Sequence, residues 1–198
     1  MTQLDKKKIV IFASGSGSNA QRLMEYFEHH AHICVAALFS NNPKAHALQK
    51  AETFHVPAFL FNRDEFYNTD KVVEQVKQFS PDLIVLAGFL WLVPQSLLKA
   101  FPNRIINIHP ALLPKYGGKG MHGLHVHTAV VLAKDAESGI TIHRVNEEYD
   151  KGEFVLQVKC PVHATDTPEE LAARVLQLEH EHLPRVVEQI MLQQPENI

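Results

Sequence analysis

Short apolar runs alternating with amphipathic segments predict an α/β protein. The expected architecture is a doubly wound, mostly parallel sheet with a mixed C-terminal portion. Three observations carry this. Ile9–Ala13, Ile33–Ser40, Val56–Phe61, Leu83–Ala87 and Arg104–His109 are near-continuous apolar runs of strand length, as strands covered on both faces require. The stretches between them place apolar residues at helical spacing. After His109 the rhythm breaks into a long loop rich in Pro, Gly and Lys, followed by strands and helices of a different order.

The chain has 198 residues, which suits a single domain spanning 1–198. Its apolar content of 45% and charged content of 21% are those of an ordinary globular protein. A net charge of -3 with no basic stripe gives no footprint for nucleic acid. Lys6-Lys7-Lys8 precedes an apolar run too short for a signal segment or a membrane span. Cys34 and Cys160 lie far apart in strand-like runs and read as small buried hydrophobes in a reducing, cytoplasmic setting. Thirteen histidines are present, several between positions 122 and 143.

Lys8–Ala13 is the first strand. Ser14-Gly15-Ser16-Gly17-Ser18-Asn19 is a small-residue loop, and a helix follows from Ala20 to His30 with Asn19 as its expected N-cap. Ile33–Ser40 is a strand, Ala45–Thr53 a helix, and Val56–Phe61 a strand with Arg63 in the loop after it. Thr69–Phe79 forms a helix, and Leu83–Ala87 a buried strand. Gly88–Val93 is an apolar loop leading to Pro94 as the first residue of a helix through Ala100. Arg104–His109 is the next strand and 110–124 the long loop. His125–Lys134 is a helix, Ile140–Val145 a half-buried strand, and Phe154–Val162 another. Thr167-Pro168-Glu169-Glu170 opens a helix with a capping box. Pro184 is expected to begin or kink the last helix, which ends near Leu192 with a frayed tail.

Several constellations carry chemistry. Gly15-x-Gly17-x-x-Ala20 matches a dinucleotide fingerprint, but the second strand ends Ser40-Asn41-Asn42, without the acid that would hold a ribose. The reading kept is an anion site at a helix N-terminus, formed by Gly17, Ser18 and Asn19, with a tight packing turn as the alternative. Asn107 and His109 stand two apart before Pro110, so they share one face at the carboxyl end of a strand, where ligands bind in open α/β sheets. Asp150 is a candidate partner that would raise the imidazole pKa and fix its orientation. An amide donor with an acid–base pair suits acyl transfer through a tetrahedral intermediate. His122-x-x-His125-x-His127 raises the question of a metal. It lacks a nearby Cys or carboxylate and matches no common zinc spacing, so no metal is assigned. Phe89–Val93 can line a pocket for a flat heterocycle or pack as core.

Four segments together resemble the folate-dependent formyltransferases: Ser16-Gly17-Ser18-Asn19, Leu86-Ala87-Gly88-Phe89, Asn107 through Tyr116, and the loop Asp150-x-Gly152. They occur in that family's order, and the likeness covers nearly the whole chain. The resemblance implies a Rossmann-like formyltransferase fold. It also implies transfer of a formyl group from 10-formyltetrahydrofolate, as co-substrate, to the amine of glycinamide ribonucleotide in purine synthesis. The Gly-Ser-Asn loop and the bare single domain point to that branch of the family. Under the resemblance Asn107, His109 and Asp150 are catalytic. Gly17, Ser18, Asn19 and Glu179 hold the ribonucleotide. Arg63, the run Leu90, Trp91, Leu92 and Val93, Asn107, and the loop Asn146, Glu147, Glu148, Tyr149 and Asp150 surround the folate. No metal is required, and a homodimer is left open.

Three departures from the family pattern stand out. Trp91 replaces a frequent arginine. The loop Gly117–Gly123 is longer than usual, and a glycine follows Tyr116 where proline is common. Asp150-Lys151-Gly152-Glu153 replaces aspartate–glycine–glycine–proline. A working enzyme with altered loop dynamics is expected. The alternatives are a related formyltransferase acting on another amine, or a nucleotide-binding module without catalysis.

Overall fold

The computed structural model describes residues 6–193. The tail expected to fray after the last helix falls mainly on residues 194–198, outside the described residues. The elements run β1 (Lys7–Phe12), α1 (Ser18–Phe27), β2 (Ile33–Ser40), α2 (His46–Thr53), β3 (Ala58–Leu60), α3 (Arg63–Tyr67), α4 (Lys71–Gln78), β4 (Leu83–Leu86), α5 (Gln95–Ala100), β5 (Ile105–His109), α6 (Leu124–Ala133), β6 (Glu137–Arg144), β7 (Phe154–Pro161) and α7 (Pro168–Leu192). The strands form one sheet in the order β3-β2-β1-β4-β5-β6-β7. β1 through β5 pair in parallel; β6 runs antiparallel to β5, and β7 to β6. The doubly wound, mostly parallel sheet with a mixed C-terminal portion is therefore present.

Alternation along each central strand divides the core in two. Ile9 and Ile11 of β1, Val85 of β4, and Ile106 and Ile108 of β5 pack with α1 and α7 residues such as Leu23, Phe27, Val175 and Val187. Val10 and Phe12, Ile84 and Leu86, and Ile105 pack on the other side with Val72 and Val76 of α4 and Leu97 of α5. Each fully buried large aliphatic side chain contributes about 1.5–3 kcal/mol. The chain leaves β1 toward β2 and β3, then returns to place β4 on the other side of β1. Where the order reverses, the loops after β1 and β4 separate and open a crevice at the strand ends.

Several local expectations change. The cap of α1 is Gly17, in the left-handed region at φ 68°, with no side-chain cap. Asn19 is already helical, because its side chain is committed elsewhere. A Cβ on Gly17 would stand 2.6 Å from the Cα of Ala47, so glycine is required both for space and for φ. Arg63 opens a short helix rather than lying in a loop. Asn62 and Glu65 form a capping box that the sequence reading passed over. Pro94 is the extended N-cap of α5, one residue before the helix. β6 starts earlier than expected and is buried from Ser138 through His143. Its second face is covered because Thr141 donates to the Ala111 carbonyl at 2.7 Å and accepts from the Leu113 N–H at 3.0 Å. The capping box at Thr167 and Glu170 is formed as expected. α7 nevertheless runs unbroken through Pro184. An interior proline costs about 3 kcal/mol. Burial of Leu183, Pro184, Val186 and Val187 against the sheet offsets that cost.

Candidate active site

The crevice at the reversal point is a cleft of about 450 Å³. Its walls come from the loop after β1 (Gly15–Asn19), the end of β4 and its loop (Leu86–Val93), the end of β5 (Asn107–Pro110), and α7 (Ala172, Val175, Leu176 and Glu179). Among the described residues no lysine or arginine lines it. An anion there meets backbone N–H groups, hydroxyls and the positive end of a helix.

The candidate anion site is the start of α1. The first intrahelical bond runs from the Gln21 N–H to the Gly17 carbonyl at 2.9 Å. The N–H groups of Ser18, Asn19 and Ala20 are left for a ligand, and no acid occupies the first turn. Asn19 Nδ2 donates to Glu179 Oε2 at 2.7 Å, linking this turn to α7. Both side chains are buried, and Asn19 Oδ1 has no partner among the described residues. Burial pushes the Glu179 carboxyl up to about 7, against the lowering effect of the Asn19 hydrogen bond.

The second centre lies at the end of β5. Asn107 and His109 project from one face, as their spacing predicts, while Ile106 and Ile108 enter the core behind them. Asp150 comes from a loop 43 positions beyond Asn107 in sequence, yet its Oδ2 lies 3.6 Å from His109 Nδ1. His109 Nε2 donates to the Tyr116 carbonyl at 2.7 Å, which leaves Nδ1 facing the carboxylate. Asn107 Nδ2 lies 3.4 Å from Asp150 Oδ1 and 3.1 Å from His143 Nε2. His143 Nδ1 donates to the Arg144 carbonyl at 2.8 Å, so its Nε2 accepts from Asn107. Asp150 Oδ2 also accepts from the Gly118 N–H at 2.8 Å. Two backbone features hold this loop. Asp150 is left-handed at φ 56°, and a Cβ on Gly152 would run into the Arg144 carbonyl oxygen.

The electrostatics keep the expected direction of Asp150's effect on His109 but set a larger, opposing one against it. The sequence reading has Asp150 raising the His109 pKa. Burial is the larger effect and pulls it below the ordinary imidazole value, although Asp150 and the Tyr116 carbonyl act upward. His109 is therefore neutral at pH 7 in the free protein. Burial raises Asp150, but the Gly118 N–H and the adjoining His143 and His109 rings, when they carry a proton, outweigh this and hold it below the ordinary carboxylate value.

Of the residues assigned to the folate, Leu90, Trp91, Leu92 and Val93 line the cleft, as do Glu148, Tyr149 and Asp150. Arg63 does not line it. Its guanidinium lies over the Tyr67 ring at 5.1 Å and the Trp91 ring at 5.6 Å. Asn146 and Glu147 are also outside the lining; Asn146 Oδ1 accepts from the Glu148 N–H at 3.0 Å and turns the loop. His122 and His125 stack edge to face with centroids 5.8 Å apart, while His127 is buried. Among the described residues no three His, Cys, Asp or Glu side chains converge as a metal-holding group.

Sequence reasoning weighed His127 only as a metal ligand, gave His143 no part in the Asn107–His109–Asp150 group, and missed the backbone groups of Tyr116 and Gly118. The alternation in Ile140-Thr141-Ile142-His143 was a signal for His143. Its pairing opposite Asn107 needed the antiparallel register.

Residues 7–187 match the family described as formyl transferase. A chloroplastic phosphoribosylglycinamide formyltransferase of Arabidopsis thaliana is 40% identical over 188 residues, covering 92% of this chain and 64% of that protein. The chain thus spans slightly less than two thirds of this plant relative. The phosphoribosylglycinamide formyltransferase of Bacillus subtilis is 34% identical over 190 residues, covering 93% and 95% of the two chains. The crystal structure of phosphoribosylglycinamide formyltransferase from Anaplasma phagocytophilum superposes with a TM-score of 0.85 at 31% identity, covering 94% of this chain and 87% of that one. The chain belongs to the formyl transferase family.

Proposed function

We propose that this protein transfers a formyl group from 10-formyltetrahydrofolate to the amine of glycinamide ribonucleotide. One observation carries the reading: a single cleft joins an anion-binding helix N-terminus to a buried Asn–His–Asp group. The phosphate sits on the N–H groups of Ser18, Asn19 and Ala20, within the turn that Gly17 makes possible. Glu179, linked to Asn19, meets the ribose side of the ligand. At the other end Leu90, Trp91, Leu92 and Val93 with Tyr149 form an apolar wall that fits a flat pteridine and aminobenzoyl system. No step requires a metal.

10-Formyltetrahydrofolate supplies the formyl group. Asn107 donates to the formyl oxygen as the amine nitrogen bonds to the formyl carbon and charge develops on that oxygen. Its second amide hydrogen, held only loosely by Asp150 at 3.4 Å, is free to do so. One such donor is worth about 10²–10³ in rate. Neutral His109 accepts the proton that the amine must lose. Nε2 is already hydrogen-bonded to Tyr116, so the proton arrives at Nδ1, where Asp150 stabilises the imidazolium. His109 then returns that proton to the folate nitrogen as its bond to the formyl carbon breaks. The proton balance closes within the site.

The test is an assay of purified protein with both substrates, followed by identification of the formylated product. Formyl transfer to glycinamide ribonucleotide is expected, with other amines at least about tenfold poorer in kcat/KM. Faster transfer to another amine, or binding of both ligands without turnover, would overturn the reading.

A further inference from the structure

His127 lines the cleft, yet neither the anion site nor the Asn107–His109–Asp150 group uses it. It is 5% exposed, and its Nδ1 is buried with no hydrogen-bond partner among the described residues. Buried polar atoms are nearly always paired, because leaving one unpaired removes its hydration without replacement. A second such atom, Asn19 Oδ1, belongs to the same cleft. Two unpaired polar atoms on residues lining one cavity point to a ligand that pairs them.

Position narrows which part of the ligand His127 meets. It lies in the first turn of α6 (Leu124–Ala133), and α6 packs on α7, which supplies Val175 and Glu179 to the ribonucleotide half of the cleft. It is also close enough to His109 to feel that ring's charge. Burial, with a smaller contribution from His109, pushes its pKa down to about 4, so the ring is neutral at pH 7. A neutral imidazole offers one donor and one acceptor. An amide presents both complements, an N–H and a carbonyl. In glycinamide ribonucleotide the amide lies between the ribose, beside Glu179, and the amine, which must reach His109.

We propose that His127 is a positioning residue whose buried Nδ1 hydrogen-bonds the substrate's amide and thereby sets the amine against His109. This rests on the reading of glycinamide ribonucleotide as substrate. The free protein carries the unpaired atom, and the bound substrate satisfies it. The contact therefore favours the complex over a molecule that lacks the amide.

His127→Phe keeps a ring of similar size and removes both nitrogens. It should raise KM for glycinamide ribonucleotide about tenfold, the size of one lost hydrogen bond. KM for 10-formyltetrahydrofolate should stay within about twofold. The Tm of the free protein should hold or rise, since an unpaired buried atom has gone. His127→Asn, which restores donor and acceptor, should recover part of the loss. An unchanged ribonucleotide KM would overturn the proposal, as would a lower Tm with both KM values displaced. An NMR titration of wild-type protein with glycinamide ribonucleotide alone does not depend on the variants folding. The His127 ring nitrogens should shift on binding, and unmoved resonances at saturation would overturn the assignment. Absence of turnover in wild type counts against the proposed reaction. An unmoved His127 in an active enzyme counts against this inference alone.

Discussion

The two ends of the cleft are built on different principles. The proposed anion end is local: Gly17, Ser18 and Asn19 are consecutive, and the α1 backbone would supply the donors. The acid–base end is assembled from β5, β6 and two loops, with Asp150 brought to His109 across 41 positions of sequence. At the first end the phosphate donors are fixed dipoles that cannot titrate, and only Glu179 beside them does. The other uses groups whose charge depends on burial and on one another. Binding can be specified by a short motif, whereas proton transfer needs groups whose environments only tertiary contacts can set.

The largest expected effect lies at the acid–base end. His109→Ala should lower kcat by about 10²–10⁴ while ribonucleotide binding survives. Calorimetric Kd values for glycinamide ribonucleotide, measured beside turnover, would separate the two ends. A loss of binding equal to the loss of rate would abolish the distinction.

Glu179→Gln addresses the carboxyl that links the anion turn to α7. The Glu179 pKa is raised in the folded state, from 4.5 to about 7, so the native protein holds its proton more tightly than the unfolded chain. This contribution favours folding below about pH 4.5 and is lost as pH rises toward 7. The difference is about 3 kcal/mol. Glutamine keeps the contact with Asn19 but does not titrate. The variant should be more stable than wild type at pH 8 and lack this part of the pH dependence, while its ribonucleotide KM rises. Urea melts between pH 4 and 8 check this, and parallel curves for the two proteins would refute it.

Two glycine substitutions sharpen the contrast. Gly17→Ala forces a side chain against Ala47 in a left-handed turn and should cost about 1–3 kcal/mol. It should raise ribonucleotide KM more than it lowers kcat. Gly152→Ala meets the Arg144 carbonyl and displaces the Asp150 loop, so kcat should bear the larger loss. Steady-state kinetics with both variants would reveal an inverted pattern.

The smallest effect is electrostatic. Asp150 acts upward on His109, so Asp150→Asn should lower the His109 pKa further. NMR titration of the ring reads this directly, and an unchanged pKa would uncouple the pair.

The sequence reading found strands β1, β2, β4 and β5 nearly at their observed limits, because apolar runs bounded by Asn, Pro and Gly leave little ambiguity. It missed the short helix α3, whose capping box lies in a segment too brief for helical periodicity to register. It expected α7 to break or kink at Pro184, because local proline chemistry says so; packing of the surrounding apolar residues prevails. It placed Asn107 and His109 on one face, since a strand's period of two requires it.

By itself, then, the sequence determined the alternation of strands and helices, the glycine turn before α1, and the polar pair ending β5. Each follows from backbone sterics or periodicity within a few residues. Only the tertiary structure decided that β6 turns antiparallel and sets His143 opposite Asn107. It also decided that Asp150 meets His109, and that burial overrides that carboxylate to leave the imidazole neutral. Those outcomes depend on strand register and on desolvation. Both arise from contacts between residues far apart in the chain, and no local pattern encodes them.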